Sequence, residues 1–186
     1  LRAQSAAILS TSATVLADDP SLTVRWDELD AETQRLYPRD NLRQPLRILL
    51  DSQNRITPQH RVVQQPGATW LARLQADEQA WPQDVEQFIC PAHGGGVDLV
   101  VMMMLLAKRQ VNSIWVEAGA SLAGALLQAG LVDELILYIA PKLLGDNGRG
   151  LCHLPGLERL ADAPEFVFSD VRQVGPDLRL RLRAKH

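Results

Sequence analysis

The sequence predicts an α/β domain built on a mostly parallel central sheet with helices on both faces. Short apolar runs such as RILL alternate with longer segments of helical character such as VDLVVMMMLLAKRQ. This alternation is typical of a parallel sheet whose two faces are covered by helices. The last two apolar runs instead flank Gly175-Pro176-Asp177, which indicates a C-terminal antiparallel hairpin.

The first half of the chain is predicted to consist mainly of short strands. PLRILLDS is continuously apolar up to Asp51, as expected for a strand that is buried on both faces. The first apolar run leads into a polar turn, and Asp18-Asp19-Pro20 is a turn or helix-stop signal. The strands are predicted over AAILS, PLRILLDS, ATWLAR and EQFICPA, with an extended piece over SLTVRW, a surface segment with one helical turn over DELDAETQRLYPRDNLRQP, and a loop over HGGG.

The second half contains the two clearest helices. VDLVVMMMLLAKRQ carries Asp98 in its first turn and Lys108 and Arg109 in its last, which agrees with the helix dipole. ASLAGALLQAG is a helix that Gly130 closes. Strands are predicted over NSIWVEAG, over ELILYIAPKLLG, and over the two arms of FVFSDVRQVGPDLRLRLRA.

Composition excludes several classes of protein. The net charge of −3 argues against nucleic acid as a main partner, because phosphate backbones require a basic face. The sequence contains no run of 18 apolar residues, so no membrane span is expected. No signal peptide is visible either, and a cytoplasmic location is therefore expected. Cys90 and Cys152 form no CxxC motif, which suits a reducing compartment. No metal site is expected, because no ligand spacing relates the histidines at positions 60, 93, 153 and 186.

The stretch SIWVEAGASLAGALL places an acid, Glu117, at the tip of a predicted buried strand, directly before a helix. Ligands collect beyond the carboxyl ends of parallel strands, and a helix start offers free N–H groups to an anion. Gly119 and Gly124 would allow a pyrophosphate to approach the backbone, although the sequence matches neither a P-loop nor GxGxxG. A tight turn with small residues for packing is the alternative.

Two further polar clusters follow predicted strands. One comprises Thr14, Asp18, Asp19, Ser21 and Arg25, which could hold a sugar and its phosphate. The other is the run Asp51–Arg55 directly after RILL, where a ribose or its phosphate could bind. An ordinary capped or polar turn is the alternative for each cluster.

Taken together, these motifs resemble a known family. TSATVLADDPSLTVR, RILLDS and WVEAGASLAGALLQAGLVDELILYIAPKLLG, in this order, are similar to the reductase domain of the bifunctional riboflavin-biosynthesis deaminase/reductase. The resemblance covers nearly the whole chain. It implies a dihydrofolate-reductase-like fold, a homodimer or larger homo-oligomer, and NADPH-dependent reduction of the ribosyl group of 5-amino-6-(5-phosphoribosylamino)uracil to the ribitylamino product.

The resemblance also implies roles for individual residues. Thr14 and Asp18 would contact NADPH, and Ser52 would lie near its adenosine side. The pyrophosphate would bind along Gly119, Ala120, Ser121, Leu122, Ala123, Gly124 and Ala125. The substrate would bind Arg2, Leu22, Arg25 and Glu117, with the two arginines near its phosphate.

The implied mechanism is hydride transfer from the nicotinamide C4 to C1 of an opened ribosylamine, with Glu117, Asp18 or a bound water as the candidate proton donor. No zinc signature of the family's deaminase domain is found here. We therefore expect residues 1–186 to be a single reductase domain without metal, lacking the upstream deaminase domain and its own N-terminal strand.

Two other functional classes stay open. One is another reductase of the same fold, such as a dihydrofolate reductase, although Arg2 and Arg25 suit a phosphate better than a pterin. The other is a non-catalytic nucleotide-binding or assembly module. An assay of NADPH binding followed by turnover distinguishes an enzyme from such a module. NADPH is expected in preference to NADH, because Ser52 and Arg55 follow a strand end where the adenosine ribose should lie.

Overall fold

The structure, a computed structural model, describes residues 1–185 and divides them into two compact units. The first comprises Leu1–Ala118, and the second begins at Gly119. That residues 1–186 act as one domain stays a prediction.

Within the described residues the strands are β1 Ala7–Thr11, β2 Leu46–Leu50, β3 Thr69–Arg73, β4 Val85–Ile89, β5 Ala92–His93, β6 Gly96–Val97, β7 Ile114–Val116, β8 Glu134–Ile139, β9 Phe166–Val174 and β10 Asp177–Ala184. The α-helices are α1 Ser12–Asp18, α2 Ala31–Leu36, α3 Arg61–Gln64, α4 Leu99–Lys108 and α5 Ala120–Gln128.

The first unit is built on a parallel sheet with the strand order β4-β3-β2-β1-β7. β1 pairs with β2 up to Thr11↔Leu50 and with β7 up to Leu9↔Val116. The predicted parallel sheet is therefore confirmed, and the carboxyl ends of β1, β2 and β7 meet at one edge.

Both faces of this sheet are covered where β1 and β2 lie. Ala7, Ile8, Leu9 and Ser10 are all fully buried, although consecutive strand residues point to opposite faces. Such burial agrees with the continuous apolar runs in the sequence. β7 is different, because all three of its residues are only half-buried, whereas a buried strand was predicted there.

The segment after β1 is a helix and not the predicted polar turn. α1 begins directly after the strand, and the Thr11 hydroxyl accepts a hydrogen bond from the backbone N–H of Thr14. The β-branched and polar residues of TSATVLADD hid this helix from sequence reasoning. The predicted stop is confirmed, because Asp19 ends the helix in the left-handed conformation at φ 39°.

One smaller prediction is wrong, and another is confirmed only for its central residues. SLTVRW forms no strand over residues 21–25, and buried Leu22 has a φ of 50° that an extended strand cannot accommodate. HGGG is the tip of the two-residue strands β5 and β6, with Gly94 and Gly95 at positive φ. The charged segment between these regions contains α2, close to the single helical turn predicted there.

α4 follows its prediction closely. Asp98 is the N-cap, and its side chain accepts a hydrogen bond from the N–H of Val101. Met102 and Leu106 are its buried residues, spaced one turn apart. Lys108 is in the last turn and Arg109 is the C-cap.

The second unit contains α5 and an antiparallel sheet with the order β8-β10-β9. The hairpin of β9 and β10 is confirmed, with Gly175 at positive φ in its turn. It was expected to add an edge to the parallel sheet, but β10 pairs with β8 instead. β8 ends at Ile139, earlier than predicted, because Pro141 has no N–H for a further ladder bond.

Candidate active site

The carboxyl edge of the parallel sheet collects the predicted site residues of the first unit. Glu117 directly follows β7, its backbone N–H donates to the Leu9 carbonyl, and its own carbonyl accepts from the Ser10 hydroxyl at 2.7 Å. These bonds hold the Glu117 backbone against the end of β1. Ser10 was missed by sequence reasoning, although a hydroxyl inside the apolar run AILS is a signal that a polar partner lies close by.

The Glu117 carboxylate is held by two side chains. Arg2 donates from Nε to Oε1 at 2.6 Å and from Nη2 to Oε2 at 2.5 Å. The Trp115 indole donates from Nε1 to Oε1 at 2.8 Å, which confirms that Trp115 and Glu117 lie on the same side of the strand. The side chains of Arg2 and Glu117 are 23% and 26% exposed, so a solute can reach both.

These contacts set the charge of Glu117. Burial alone would raise the pKa of Glu117, but the hydrogen bonds and charge of Arg2, the Trp115 N–H and the charge of Arg25 together lower the pKa. Glu117 is therefore a carboxylate at neutral pH. In this state it accepts hydrogen bonds and stabilises positive charge, but it has no proton to donate.

The predicted substrate arginines differ in their surroundings. Arg2 uses a third N–H, from Nη1, to reach the Thr23 carbonyl at 2.7 Å, so two of its five N–H groups stay available. Arg25 is exposed and pairs with Glu28 at 2.7 Å. Arg25 lines a pocket of about 420 Å³ with Val24, Trp26, Asp27, Glu28, Arg39, Leu42 and Gln44.

The residues predicted to contact the cofactor in this unit are spread along the same edge. Thr14 lies in the first turn of α1, with its hydroxyl 3.1 Å from that of Thr11. Asp18 is exposed at the end of α1. Ser52 is half-buried just after β2, and a side chain added at Gly96 would begin 3.8 Å from its hydroxyl.

Arg55 links two neighbouring strand ends. Its Nη2 donates to the hydroxyl of Ser12, the first residue after β1, at 2.9 Å. Its backbone N–H donates to Asp51, the first residue after β2, at 2.8 Å. The exposed guanidinium is thereby anchored at one corner, and among residues 1–185 its other N–H groups have no hydrogen-bond partner, so they can donate to a phosphate.

Asp51 also belongs to a buried network that the sequence did not reveal. The fully buried Arg73 donates to Asp51 Oδ2 from Nη2 at 2.7 Å and from Nε at 3.0 Å. Nη1 of Arg73 reaches Asp77 at 2.7 Å, and the guanidinium stacks on the Trp81 ring. This network fixes the loop after β2, from which Ser52 and Arg55 project.

In the second unit, α5 carries the predicted pyrophosphate residues. Its N-cap is the exposed Gly119, and a Cβ added there would meet no atom within 4 Å. Leu122 and Gly124 are buried. A Cβ on Gly124 would overlap the carbonyl group of His153, whose N–H bonds the Ala120 carbonyl at 2.9 Å. Gly124 is thus required for packing, whereas Gly119 leaves open space at the helix start.

Residues 1–185 contain neither a candidate metal cluster nor a membrane-spanning helix. They contain no group of three or more His, Cys, Asp and Glu side chains placed to hold a metal ion. No helix among them has the length and apolar character needed to cross a bilayer. His186 lies outside the described residues.

Comparison with known proteins gives a consistent picture. Residues 1–180 match the family model described as RibD C-terminal domain. The chain is 69% identical to Riboflavin biosynthesis protein RibD of Escherichia coli K12 over 98% of its own length and 50% of that protein. It is 39% identical to 5-amino-6-(5-phosphoribosylamino)uracil reductase of Buchnera aphidicola subsp. Acyrthosiphon pisum, over 99% of the chain and 89% of the relative.

Solved structures agree with this picture. RibD of Acinetobacter baumannii, form 1, superposes with a TM-score of 0.78 at 30% identity, over 100% of this chain and 48% of that one. The Saccharomyces cerevisiae Riboflavin Biosynthesis Reductase Rib7 superposes with a TM-score of 0.69 at 22% identity, over 100% of this chain and 77% of that one. The dihydrofolate-reductase-like α/β fold is therefore confirmed. The chain spans about half the length of several relatives that it matches.

Proposed function

The chain belongs to the RibD C-terminal domain family, and from this premise we propose that it reduces the ribosyl group of 5-amino-6-(5-phosphoribosylamino)uracil, with NADPH as the hydride donor. The product is the ribitylamino compound of riboflavin biosynthesis. The observation that carries the proposal is the ionised Glu117 at the carboxyl edge of the parallel sheet, with Arg2 bonded to it and Arg25 close enough to lower its pKa. An anion flanked by two cations suits a substrate that combines hydrogen-bond donors with a phosphate.

The two arginines would bind the substrate phosphate. Arg25 is exposed and held by one acid, Glu28, so a phosphate can replace that partner at small cost. Arg2 keeps two N–H groups for the same anion while it holds Glu117. Leu22 is buried beside these residues in the chain, and its left-handed backbone turns the segment between Asp19 and Thr23.

Glu117 would stabilise positive charge on the substrate and would not donate a proton. When the ribosylamine opens, its C1 becomes the carbon of an imine, and protonation of the imine nitrogen makes C1 a better hydride acceptor. A fixed carboxylate stabilises that positive charge without reorganising during the reaction. Asp18 is exposed on α1 and stays, with a bound water, a candidate for supplying the proton.

The residues proposed to bind the cofactor in each unit suit a dinucleotide phosphate. NADPH supplies a hydride from its nicotinamide ring, and the protein aligns the two reactants. Arg55, anchored to Ser12, would bind the 2′-phosphate, with Ser52 beside the ribose and Thr14 and Asp18 nearer the nicotinamide. The open space at Gly119 supports pyrophosphate binding at the start of α5, along Ala120, Ser121, Ala123 and Ala125, with Leu122 and Gly124 supporting the helix from inside.

The proposal includes a second copy of this chain as partner. The β8-β10-β9 sheet exposes apolar side chains, with Phe168 66% and Val171 54% exposed opposite Leu182 and Leu180 of β10. An apolar sheet face of this kind suits a homodimer contact. Light scattering should give the mass of a dimer for the purified chain and of a monomer for Phe168→Asp. A cytoplasmic location belongs to the same proposal.

One assay separates the proposed enzyme from its alternatives. The purified chain is mixed with NADPH and the phosphoribosylaminouracil, and NADPH absorbance and the mass of the product are followed together. We expect one ribitylamino product for each NADPH oxidised. NADPH binding without oxidation indicates a non-catalytic module, and oxidation with dihydrofolate but not with this substrate indicates another reductase of the fold.

A further inference from the structure

Trp115 connects the hydrophobic core of the first unit to the site at the sheet edge. Its ring packs against the buried cluster that includes Ile8, Val15 and Leu22. Its N–H reaches out of this cluster to Oε1 of Glu117 at 2.8 Å. Packing fixes the ring, so this donor stays in one place even when the groups around the carboxylate move.

The hydrogen bonds leave one oxygen of Glu117 with spare capacity. A carboxylate offers about four lone-pair directions, two on each oxygen. Oε1 accepts from both Arg2 Nε and Trp115 Nε1, so it is saturated. Within residues 1–185 the structure gives Oε2 one donor, Arg2 Nη2. The unused direction on Oε2 is therefore the place where Glu117 can accept from a substrate N–H or O–H.

We propose that Trp115 is a positioning residue for Glu117: its indole N–H holds Oε1, so that Oε2 is presented to a hydrogen-bond donor of the substrate. This inference rests on the proposed function and assigns a further residue to the same site.

Arg2 alone would hold the Glu117 carboxylate less firmly, because Arg2 also binds other groups. It is tied to the Thr23 carbonyl and would also contact the substrate phosphate. A phosphate that accepts hydrogen bonds from Arg2 competes with the Glu117 carboxylate for the same guanidinium. Trp115 is neutral and does not attract phosphate, so it keeps Glu117 in place while Arg2 shifts toward the substrate.

The test removes the N–H of Trp115 and keeps an aromatic ring. Trp115→Phe loses the bond to Glu117 and retains most of the packing. Trp70→Phe is the control for loss of an indole, because Trp70 lies on β3 and stacks on Phe88, with ring centroids 5.6 Å apart, outside the proposed site. Both variants are measured for NADPH affinity, for kcat and KM across pH, and for the carboxyl ¹³C shift of Glu117 during a pH titration.

We expect Trp115→Phe to raise KM for the phosphoribosylaminouracil about fivefold to tenfold, as for the loss of one ordinary hydrogen bond, with NADPH affinity unchanged. The ¹³C titration should show that the pKa of Glu117 rises, since a donor to its ionised form is lost. The acid limb of the pH profile of kcat/KM should move to higher pH together with the pKa of Glu117. Trp70→Phe should change none of these quantities.

Two results overturn the inference. One is a Glu117 titration that is the same in Trp115→Phe and in the wild type. The other is a loss of substrate affinity as large in Trp70→Phe as in Trp115→Phe, which would indicate general loosening of the fold. If the wild-type chain does not turn over at all, the proposed function fails, but the ¹³C titration still decides whether Trp115 holds Glu117.

Discussion

Arg2 and Glu117 are 115 positions apart in the sequence, yet their side chains form a two-point salt bridge at the carboxyl end of β7. The family resemblance implies that both residues bind the substrate, but it did not reveal that they bind each other. The pair joins the first residues of the chain to the sheet edge, and it makes the ionisation state of Glu117 depend on Arg2.

Glu117→Gln should separate the electrostatic role from the structural one. The variant should bind NADPH normally while kcat/KM falls about tenfold to a hundredfold, because the charge that stabilises the protonated imine is lost. It should also unfold more easily at neutral pH, by about 1–2 kcal/mol, because Arg2 loses its anionic partner. Wild-type turnover in a folded Glu117→Gln protein would rule out both the substrate contact and the electrostatic role.

The pH dependence of this stability difference has a definite sign. The pKa of Glu117 is lowered from 4.5 on folding, so the carboxylate stabilises the fold above that value, and the stabilisation is lost as pH falls through the lowered pKa. Thermal melts of wild type and Glu117→Gln should therefore differ at neutral pH and converge in acid. If the melting temperatures of the two proteins instead differ by the same amount down to acid pH, the charge of Glu117 does not contribute to stability.

Arg25→Ala tests the phosphate site. We expect KM for the substrate to rise by about one to two decades, as for the loss of a charge-assisted pair, with NADPH affinity unchanged. Glu28→Gln should have the opposite effect on KM, because it releases Arg25 from its ion pair. Arg159→Ala, which breaks a similar exposed pair with Asp162, is the control for loss of a surface charge.

Arg55→Ala tests the choice of cofactor. The variant should lose about tenfold in affinity for NADPH and little for NADH, because only NADPH carries the 2′-phosphate. Fluorescence titration of both cofactors against wild type and variant measures this directly. Equal affinity of the wild-type chain for the two cofactors would contradict the assignment.

Gly124 and Gly119 should respond differently to an added side chain. Gly124→Ala should destabilise the chain strongly or prevent folding, because its Cβ would overlap the His153 carbonyl. Gly119→Ser should leave the melting temperature nearly unchanged, because serine is a good N-cap and its Cβ would meet no atom within 4 Å. If pyrophosphate approaches this backbone, Gly119→Ser should nevertheless weaken NADPH binding; unchanged binding would place the pyrophosphate elsewhere.

Arg73→Met should show the cost of breaking a buried pair. It leaves the fully buried Asp51 without its main cation, and we expect a loss of about 3–5 kcal/mol in the free energy of unfolding. Arg159→Met breaks an exposed pair and should cost close to nothing. Urea denaturation of both variants gives the comparison, and equal losses would mean that the Asp51 network is not stabilising.

The residues explain which parts of the fold sequence reasoning could predict. RILL, ATWLAR and VDLVVMMMLLAKRQ are strongly patterned, and all three elements are where the sequence predicts them. α1 was missed because its stability comes from the Thr11 cap and the burial of Val15, not from helix propensity. The hairpin was recognised but its partner was not, because a local pattern does not show which strand β10 will pair with.

The same limit applies to the site. Spacing and resemblance located Glu117, Arg2 and Arg25, but not the bond between Arg2 and Glu117, which needs the paired register of β1 and β7. Arg73 gave no signal, because a single arginine at a strand end looks like an ordinary surface charge. The individual site roles stay predictions that the variants above can decide.

The position of β1 between β2 and β7 has a consequence for synthesis on the ribosome. β2, β3 and β4 follow β1 along the chain and extend the sheet in one direction, while β7, on the other side, is made last. Until residues 114–116 emerge, the nascent sheet has an open hydrogen-bonding edge along β1, which can pair with other chains. We expect nascent chains arrested before residue 114 to recruit chaperones and to aggregate on release, and chains arrested well beyond β7 to do neither.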